Sequence, residues 1–283
     1  MQLYCINTGM FKLDGGAMFG VAPKSIWNKL NPADQNNLCP WALRCLLIED
    51  GKRLILIDNG IGDKQSDKFF SHYYLHGEDS LGQSLTKAGF SWADVTDVLL
   101  THLHFDHCGG SIRRDQGKLV PAFPNARYWS NEAHWAWATQ PNEREKASFL
   151  PENILPIRES GQLHWVHLPG VEGELSAFSE NIRIRFVRGH TEAMMIPEIT
   201  YKNRTLVFVA DLLPSTAHLP LPYIMAYDMF PLTTLTEKKV FLTEALERQF
   251  VLFFEHDPLI ECCDLQMTQR GIRQQNCFHL SEI

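Results

Sequence analysis

The feature that most constrains this chain is a cluster of metal-ligand side chains directly after an apolar run. The buried-looking residues 98–100 lead through Thr101 into His102, His104, Asp106 and His107. Side chains two positions apart in an extended segment project to the same side, so His102 and His104 can converge on one cation. Asp106 and His107 then turn toward a second cation. The spacing therefore favours two metal ions over one.

The order of these ligands also resembles a family signature. The pattern HxHxDH is followed by Cys108 and two glycines, and it is similar to the metallo-β-lactamase superfamily of hydrolases, most of all to its lactonase branch. The resemblance implies a single hydrolase domain spanning residues 1–283. It also implies further ligands downstream, each at the end of a strand.

Three downstream residues stand where strands are predicted to end. His190 follows the alternating run 182–187, Asp211 follows the run 206–210, and His256 follows the run 250–254. By resemblance, the first metal is held by His102, His104 and His190, the second is held by Asp106, His107 and His256, and both are bridged by Asp211. The cofactor is expected to be two divalent ions, with zinc as the default and iron, cobalt or manganese left open, because His and Asp accept all four.

Three polar residues are expected to form hydrogen bonds with the candidate ligands and so to orient them. A metal-bound imidazole needs its other N–H held by an acceptor, and a carboxylate at a neighbouring strand end can provide one. Asp58, at the end of an apolar run, matches the aspartate that has this role in the superfamily. Thr101 and Thr191 lie next to ligands and are candidates for similar support, with ordinary strand-end hydrogen bonding as the alternative.

A mechanism follows from two adjacent metals. A water that bridges two cations loses its proton near neutral pH, because its pKa falls from about 15.7 toward about 7 at such sites. The expected nucleophile is this hydroxide, while Asp106 or Asp211 shuttles the proton to the leaving group. The sequence contains no G-x-S-x-G motif, so a serine nucleophile is not indicated.

Composition and charge indicate a cytoplasmic enzyme. The 283 residues are 45% hydrophobic, which allows a large core, and the seven irregularly spaced cysteines favour a reducing compartment. The formal net charge is −7 without a Lys/Arg run, which argues against a nucleic-acid partner. No signal-peptide pattern or apolar run of about 20 residues is present, so no membrane partner is expected.

A hairpin pattern occurs twice, at residues 46–58 and 199–211, and each copy ends in an aspartate. Matching Asp58 with Asp211 also superposes their turns. Two related β-rich halves with flanking helices predict the α/β class and a four-layer αββα sandwich, the metallo-β-lactamase fold. Helices are predicted at residues 80–87, 131–138 with Ser130 as the cap, and 236–249.

The substrate is indicated by resemblance at two segments. Residues 13–24 with Trp27, and residues 221–228, resemble quorum-quenching N-acyl homoserine lactonases and related organophosphate hydrolases. Met18, Phe19 and Trp27 lie on an expected N-terminal loop segment of about residues 11–40 and suit an acyl-chain pocket. Cys108 either packs in the core or lines the site. The resemblance also implies a homodimer, and it leaves a C-terminal tail, residues 259–283, unmatched.

One departure concerns a tyrosine. Lactonases of this branch carry a tyrosine a few residues after the bridging aspartate, whereas Asp211 is followed by Leu-Leu-Pro-Ser. Candidates to fill the role are His218, Tyr223 and Tyr227, each with pocket wall or core as the alternative. Met225 is a further pocket candidate.

The expected function is a dinuclear metal-dependent hydrolase that opens a lactone of the N-acyl homoserine lactone type or cleaves an ester. A phosphotriesterase or phosphodiesterase on the same scaffold is the first alternative. A β-lactamase or thioesterase is a further one. The alternative from a different class is a di-iron redox protein or a non-catalytic metal binder, although di-iron relatives carry a glutamate where His104 stands.

Overall fold

The computed structural model describes residues 1–170 and 173–283. The strands are β1 (Gln2–Asp14), β2 (Leu38–Asp50), β3 (Arg53–Ile57), β4 (Asp97–Leu99), β5 (Ile112–Asp115), β6 (Lys118–Pro121), β7 (Arg127–Ser130), β8 (Leu163–Trp165), β9 (Ser176–Ala177), β10 (Ile182–Val187), β11 (Met194–Tyr201), β12 (Arg204–Phe208), β13 (Val251–Phe253), β14 (Cys262–Thr268) and β15 (Gly271–Phe278). The helices are α1 (Gly15–Phe19), α2 (Lys24–Trp27), α3 (Asp67–Phe70), α4 (Leu81–Lys87), α5 (Phe105–Cys108), α6 (Glu132–Thr139), α7 (Pro151–Glu159) and α8 (Pro231–Glu247).

The chain divides into two compact units. The first comprises Met1–Gly9 and Leu43–Pro169, and the second comprises Met10–Ala42 and Gly170–Ile283. The family resemblance predicts one domain over the whole chain, and that organisation stays a prediction.

The first unit is built around parallel strands. It contains β3, β4, β7 and β8, which run parallel, with the first part of β1 and the last part of β2, in the sheet order β1-β2-β3-β4-β7-β8. Strands β5 and β6 form a separate hairpin. Strands covered on both faces need continuous apolar runs, and Leu56, Val98 and Tyr128 are accordingly buried in one core cluster. Strand β4 ends at Leu99, so the ligand cluster lies at the carboxyl end of a central strand.

The second unit is built around a seven-stranded sheet with the order β15-β14-β13-β12-β11-β10-β9. Strands β12 and β13 are parallel, and their neighbours pair antiparallel. The C-terminal tail, which the sequence left unmatched, contains the whole β14–β15 hairpin. Because β14 pairs with β13, the tail extends the sheet that presents His256.

The hairpin repeat is present in both units, but its register differs from the prediction. The β2–β3 turn at residues 51–52 corresponds to the β11–β12 turn at residues 202–203. After each hairpin the next N–H bonds to the neighbouring parallel strand. Asp58 N–H donates to Leu99 O at 3.0 Å, and Val209 N–H donates to Phe253 O at 3.2 Å. Asp58 therefore corresponds to Val209, and matching it with Asp211 was wrong by two residues.

The predicted helices are present with corrected ends. Helix α4 begins after Ser80 as expected, whereas α6 is capped by Asn131 rather than Ser130, since Asn131 Oδ1 accepts from His134 N–H at 2.8 Å. Helix α8 begins at Pro231, because a proline at the first helical position gives up no hydrogen bond. No helix in the described part of the chain is long and apolar enough to cross a bilayer.

The expected N-terminal loop is instead regular structure over much of its length. Strand β1 continues to Asp14, whose Oδ1 accepts from Ala17 N–H at 2.7 Å and caps α1. Helix α2 and the start of β2 follow within the same segment. A cap and two short helices thus fix residues that the sequence placed on a loop.

Two glycines after the ligand cluster permit a close backbone approach in the first unit. A Cβ at Gly109 would lie 2.0 Å from Ile61 O, and one at Gly110 would lie 2.2 Å from Asn59 O. Gly110 N–H donates to Gly60 O at 3.0 Å, and the Lys64 ammonium donates to Gly109 O. These contacts hold the segment after Asp58 against the segment after His107.

Replacing Gly109 by alanine is expected to lower the free energy of unfolding by about 1–3 kcal/mol, because the new methyl group overlaps the backbone at Ile61. Chemical denaturation followed by circular dichroism measures the loss. The matched control is Gly170→Ala, where an added Cβ meets nothing within 4 Å. Equal stability of the two variants would mean that residues 59–61 move aside without cost.

Candidate metal centre

The first unit places four candidate ligand side chains in two pairs. His102 Nε2 and His104 Nδ1 lie 3.0 Å apart, and Asp106 Oδ2 and His107 Nε2 lie 3.8 Å apart. All four residues are buried. The chain is extended up to His104 and enters α5 at the next residue, which turns the second pair away from the line of the first.

The second unit places a carboxylate between two imidazoles. Asp211 Oδ2 lies 3.1 Å from His190 Nε2, and Asp211 Oδ1 lies 3.3 Å from His256 Nε2. Asp211 follows Ala210, whose φ of 42° is a left-handed conformation that alanine rarely adopts. This turn at the end of β12 lets each carboxylate oxygen face a different histidine.

In the first unit Asp58 and Thr101 hold two imidazoles from behind. Thr101 Oγ1 lies 2.6 Å from Asp58 Oδ2 and 3.1 Å from His102 Nδ1. Since the hydroxyl proton goes to the carboxylate, His102 Nδ1 must donate to the hydroxyl oxygen. Asp58 Oδ2 also accepts from His107 Nδ1 at 3.1 Å. The Nε2 atoms of His102 and His107 then carry no proton and each has a free lone pair, which is the form in which imidazole binds a metal.

Glu145 holds His104 in the same way, and sequence reasoning missed it. Its Oε1 accepts from His104 Nε2 at 2.9 Å, and its Oε2 accepts from Trp137 Nε1 at 2.6 Å. The His104 Nδ1 lone pair therefore faces His102. Glu145 lies in the polar stretch 142–146, whose composition is typical of an exposed turn, so no local signal marks it.

Two acceptors hold the histidines of the second unit. Asp228 Oδ1 accepts from His190 Nδ1 at 2.8 Å, and Ala42 O accepts from His256 Nδ1 at 2.8 Å. Asp228 lies in a segment that the sequence singled out, but without this role, and a backbone carbonyl has no sequence signal at all. Thr191 has no such role, since its buried Oγ1 makes no hydrogen bond within residues 1–170 and 173–283.

The charges in the second unit favour a bound cation. Burial alone would lower the pKa of His190, but the carboxylates of Asp211 and Asp228 outweigh it and raise this pKa to about 10. The two carboxylates beside His190 therefore stabilise a positive charge at this position. A bound divalent ion would supply that positive charge in place of the proton on His190.

The donor chemistry fits divalent metal ions. Each unit carries buried His and Asp side chains with closely spaced donor atoms, and in both units the second ring nitrogen of each histidine has a hydrogen-bond partner. Imidazole with carboxylate is a ligand set that zinc and other first-row divalent ions accept.

The aromatic pocket candidates pack together in the second unit. The Phe19 ring is stacked on Trp27 at 5.0 Å and on His218 at 4.7 Å, and Tyr223 meets it edge-on at 6.1 Å. Met18, Phe19, Trp27 and His218 are all at least 98% buried. This burial favours a packing role over an open acyl-chain pocket.

His218 has no nitrogen left for a substrate. Its Nε2 donates to Met18 O at 2.9 Å, and its Nδ1 accepts from the Ser215 hydroxyl at 2.8 Å. Burial lowers the pKa of His218 to about 3, so the ring stays neutral. From the sequence, His218 was a candidate to replace the lactonase tyrosine. These contacts indicate a structural role for His218 instead.

The remaining pocket candidates differ in exposure. Met225 is buried, Tyr223 is half-buried and Tyr227 is 40% exposed. In the first unit Cys108 belongs to the core cluster, and its Sγ donates to Leu103 O at 3.3 Å. Burial raises the pKa of the Cys108 thiol to about 12, which favours the packing alternative.

Replacing Glu145 by glutamine is expected to weaken zinc binding by about 10–100-fold, because a neutral amide holds the His104 N–H less well than a carboxylate. Competition with a chromogenic chelator measures the affinity. Glu143→Gln is the control, since the Glu143 side chain is 87% exposed and lies two residues away. Unchanged affinity in Glu145→Gln would mean that the contact with His104 does not act on metal binding.

Comparison with known proteins agrees with this chemistry. N-acyl homoserine lactonases from Bacillus cereus and Bacillus thuringiensis are 26% and 28% identical to the chain over 181 residues, which is 60% of this chain and 63% of theirs. The match thus spans less than two thirds of the length of these relatives.

Solved structures match over nearly the whole chain. A probable metal-dependent hydrolase from Staphylococcus aureus is 27% identical with a TM-score of 0.87, covering 98% of this chain and 96% of its own. The dizinc quorum-quenching lactonase AidC, solved with a product, shares the fold at 22% identity with a TM-score of 0.78, covering 98% and 95%.

The predicted α/β class and metallo-β-lactamase fold are confirmed by these matches. The sequence profile described as "Metallo-beta-lactamase superfamily" matches residues 42–256, a range that contains every candidate ligand. The chain belongs to the metallo-β-lactamase superfamily.

Proposed function

We propose that this protein is a hydrolase that uses two divalent metal ions to open lactones, with N-acyl homoserine lactones as the first class to test. The observation that carries the proposal is the position of Asp211, whose two oxygens face two different imidazoles at 3.1 and 3.3 Å. A carboxylate between two histidines is suited to bridge a pair of cations. The relatives named above as lactonases and hydrolases support the reaction class.

The proposed ligands are assigned as the sequence predicted. The first ion would be held by His102, His104 and His190 and the second by Asp106, His107 and His256, and Asp211 would be shared by both. Zinc is the expected ion, and iron, cobalt and manganese fit the same donors.

The residues of the chain have distinct roles in the proposed reaction. The bound ions supply a lowered pKa for water and polarisation of the substrate carbonyl. Asp106, buried beside His107, is placed to accept a proton from the attacking water and to return it to the leaving oxygen. Asp58, Glu145 and Asp228 orient the imidazoles and keep their outward nitrogens protonated. Burial of the ligands lowers the local dielectric and strengthens these interactions.

Several further predictions of the sequence remain predictions: the cytoplasmic location, a homodimer formed through the N-terminal segment, and the absence of a nucleic-acid partner. The substrate is proposed to be a small lactone or ester.

Replacing Asp211 by asparagine is expected to reduce bound metal from two ions per chain toward one and to lower kcat by about 10³-fold or more, since a neutral amide bridges cations poorly. Elemental analysis of protein purified without chelators, together with steady-state kinetics, measures both effects. Asp115→Asn, at the exposed end of β5, is the control. Wild-type protein with about one ion per chain, or full activity in the Asp211 variant, would contradict the bridging role.

A substrate panel is expected to show the highest kcat/KM for an acyl homoserine lactone. The other members are a δ-lactone, an aryl acetate, paraoxon and a thioester. Lactone turnover no better than that of the aryl acetate would refute the lactonase assignment and leave a general esterase. A clear preference for paraoxon would favour the phosphotriesterase alternative.

A further inference from the structure

The β14–β15 hairpin of the second unit places two cysteines directly opposite each other. In its antiparallel register Cys263 pairs with Cys277, and Cys262 pairs with Phe278. Directly opposite residues of an antiparallel pair lie on the same face of the sheet, whereas consecutive residues of one strand alternate between the faces. Cys263 and Cys277 therefore share one face, and Cys262 lies on the other.

This register brings the two cysteines within the range of a disulfide bond. Opposite Cα atoms on antiparallel strands are about 4.5 Å apart in non-hydrogen-bonded pairs and about 5.5 Å apart in hydrogen-bonded pairs. Disulfides span Cα separations of about 4.4–6.8 Å. Both values fall within this range, so the sulfur atoms of Cys263 and Cys277 can be joined with little movement of the backbone.

Hydrogen bonds from side chains hold the register on both sides of the pair. The register shifts at Asp264, whose Oδ1 accepts from Asn276 N–H at 2.8 Å. On the other side of the pair, Glu261 Oε2 accepts from Leu280 N–H at 2.9 Å. A slip of one residue would move every side chain of β15 to the opposite face. These contacts oppose such a slip and keep the two cysteines opposite each other.

The two thiols differ in their access to solvent. All seven cysteines lie in the part of the chain that the structure describes, and Cys277 is the exposed one. Cys263 is buried. An oxidant in solution therefore reaches Cys277 first, and Cys263 is placed to bond to the oxidised sulfur of Cys277.

The surroundings of Cys277 keep its thiol protonated at rest. Partial burial and the charges of Asp257 and Asp264 raise the pKa of Cys277 above its ordinary value. The thiolate is the form that reacts with oxidants, so this thiol reacts slowly near neutral pH. The pair is therefore expected to stay reduced in a reducing compartment and to respond only to strong oxidation.

We propose that Cys263 and Cys277 form a redox modification site, at which an oxidant of the peroxide class produces a reversible disulfide. The Cys277 sulfur bonds to one peroxide oxygen, the O–O bond breaks, and a sulfenic acid and one water are formed. The Cys263 sulfur then bonds to the Cys277 sulfur, the S–O bond breaks, and a second water leaves. The two thiols lose two electrons and two protons, which reduce one peroxide to two waters.

The disulfide protects the exposed thiol from irreversible damage. A sulfenic acid that meets no second thiol is oxidised further to sulfinic and sulfonic acids, which thiol reductants do not reverse. A disulfide returns to two thiols by exchange with a dithiol reductant. This chemistry is independent of the proposed hydrolysis and uses none of the candidate metal ligands.

The test follows the fate of Cys277 in the full-length protein. Reduced protein is treated with hydrogen peroxide at about pH 8.5, near the ordinary pKa of a thiol, and the remaining thiols are alkylated under denaturing conditions. Trypsin cleaves after Arg270 and Arg273, so the two cysteines lie on different peptides. Mass spectrometry of the wild type is expected to show these peptides joined by a disulfide that dithiothreitol removes.

Cys263→Ser is expected to abolish the joined peptides and to raise the sulfinic and sulfonic forms of Cys277 by about tenfold or more, because no second thiol traps the sulfenic acid. Cys262→Ser is the matched control, since it replaces a buried cysteine one position away on the other face. The control is expected to form the disulfide as the wild type does. Cys277→Ser, at an exposed position of the edge strand β15, is expected to leave Cys263 as a thiol.

Three results would overturn the proposal. The first is sulfinic acid on Cys277 of the wild type without joined peptides. The second is a disulfide between two chains, which non-reducing electrophoresis separates from a bond within one chain. The third is a disulfide that persists in Cys263→Ser and is lost in Cys262→Ser.

The Cys277→Ser variant decides the question if Cys263→Ser does not fold. Loss of the Cys263 thiol to the same extent in Cys277→Ser as in the wild type would show another partner for Cys263 and overturn the pairing. Retention of the Cys263 thiol in this variant alone supports it.

Discussion

An imidazole can give a lone pair to a cation only when its other nitrogen carries the proton, and this constraint organises both units. The acceptors that fix the proton come from Asp58, Thr101, Glu145, Asp228 and the carbonyl of Ala42. Each holds one or two rings in a set tautomer and orientation. The folded chain therefore sets the tautomer and the orientation of the candidate ligand histidines through these hydrogen bonds.

The secondary structure explains why these residues meet within their own units. A parallel strand, β4 or β13, ends three residues before a histidine in each unit, and a hairpin strand beside it ends near a carboxylate. Buried apolar runs fix the strand ends, so the polar residues that follow are brought to one edge of the sheet. The left-handed conformations of Asp58 and Ala210 complete the two turns.

The sequence predicted what is encoded locally and missed what is encoded by long-range contact. His102 to His107 and Asp58 were predictable because ligand types follow apolar runs at close spacing. Glu145 lies in a segment with an ordinary surface composition, and only tertiary packing brings it to His104. The hairpin match failed by two residues because it aligned residue identity, whereas the register is fixed by hydrogen bonding to the next strand. The C-terminal tail was not assigned because its strands are of mixed polarity.

The support behind His256 differs in kind from the support behind the other four histidines. It is a main-chain carbonyl, at Ala42, whereas the others depend on side chains that one nucleotide change can alter. Point mutations can thus weaken or strengthen the hydrogen bonds that hold four of the imidazole rings. They have little effect on the hydrogen bond that holds His256, because any residue at position 42 provides a carbonyl. Among related sequences, the orientation of His256 is therefore expected to stay the same. The orientations of the other four histidines can change when their supporting side chains are substituted, and metal or substrate preference can change with them.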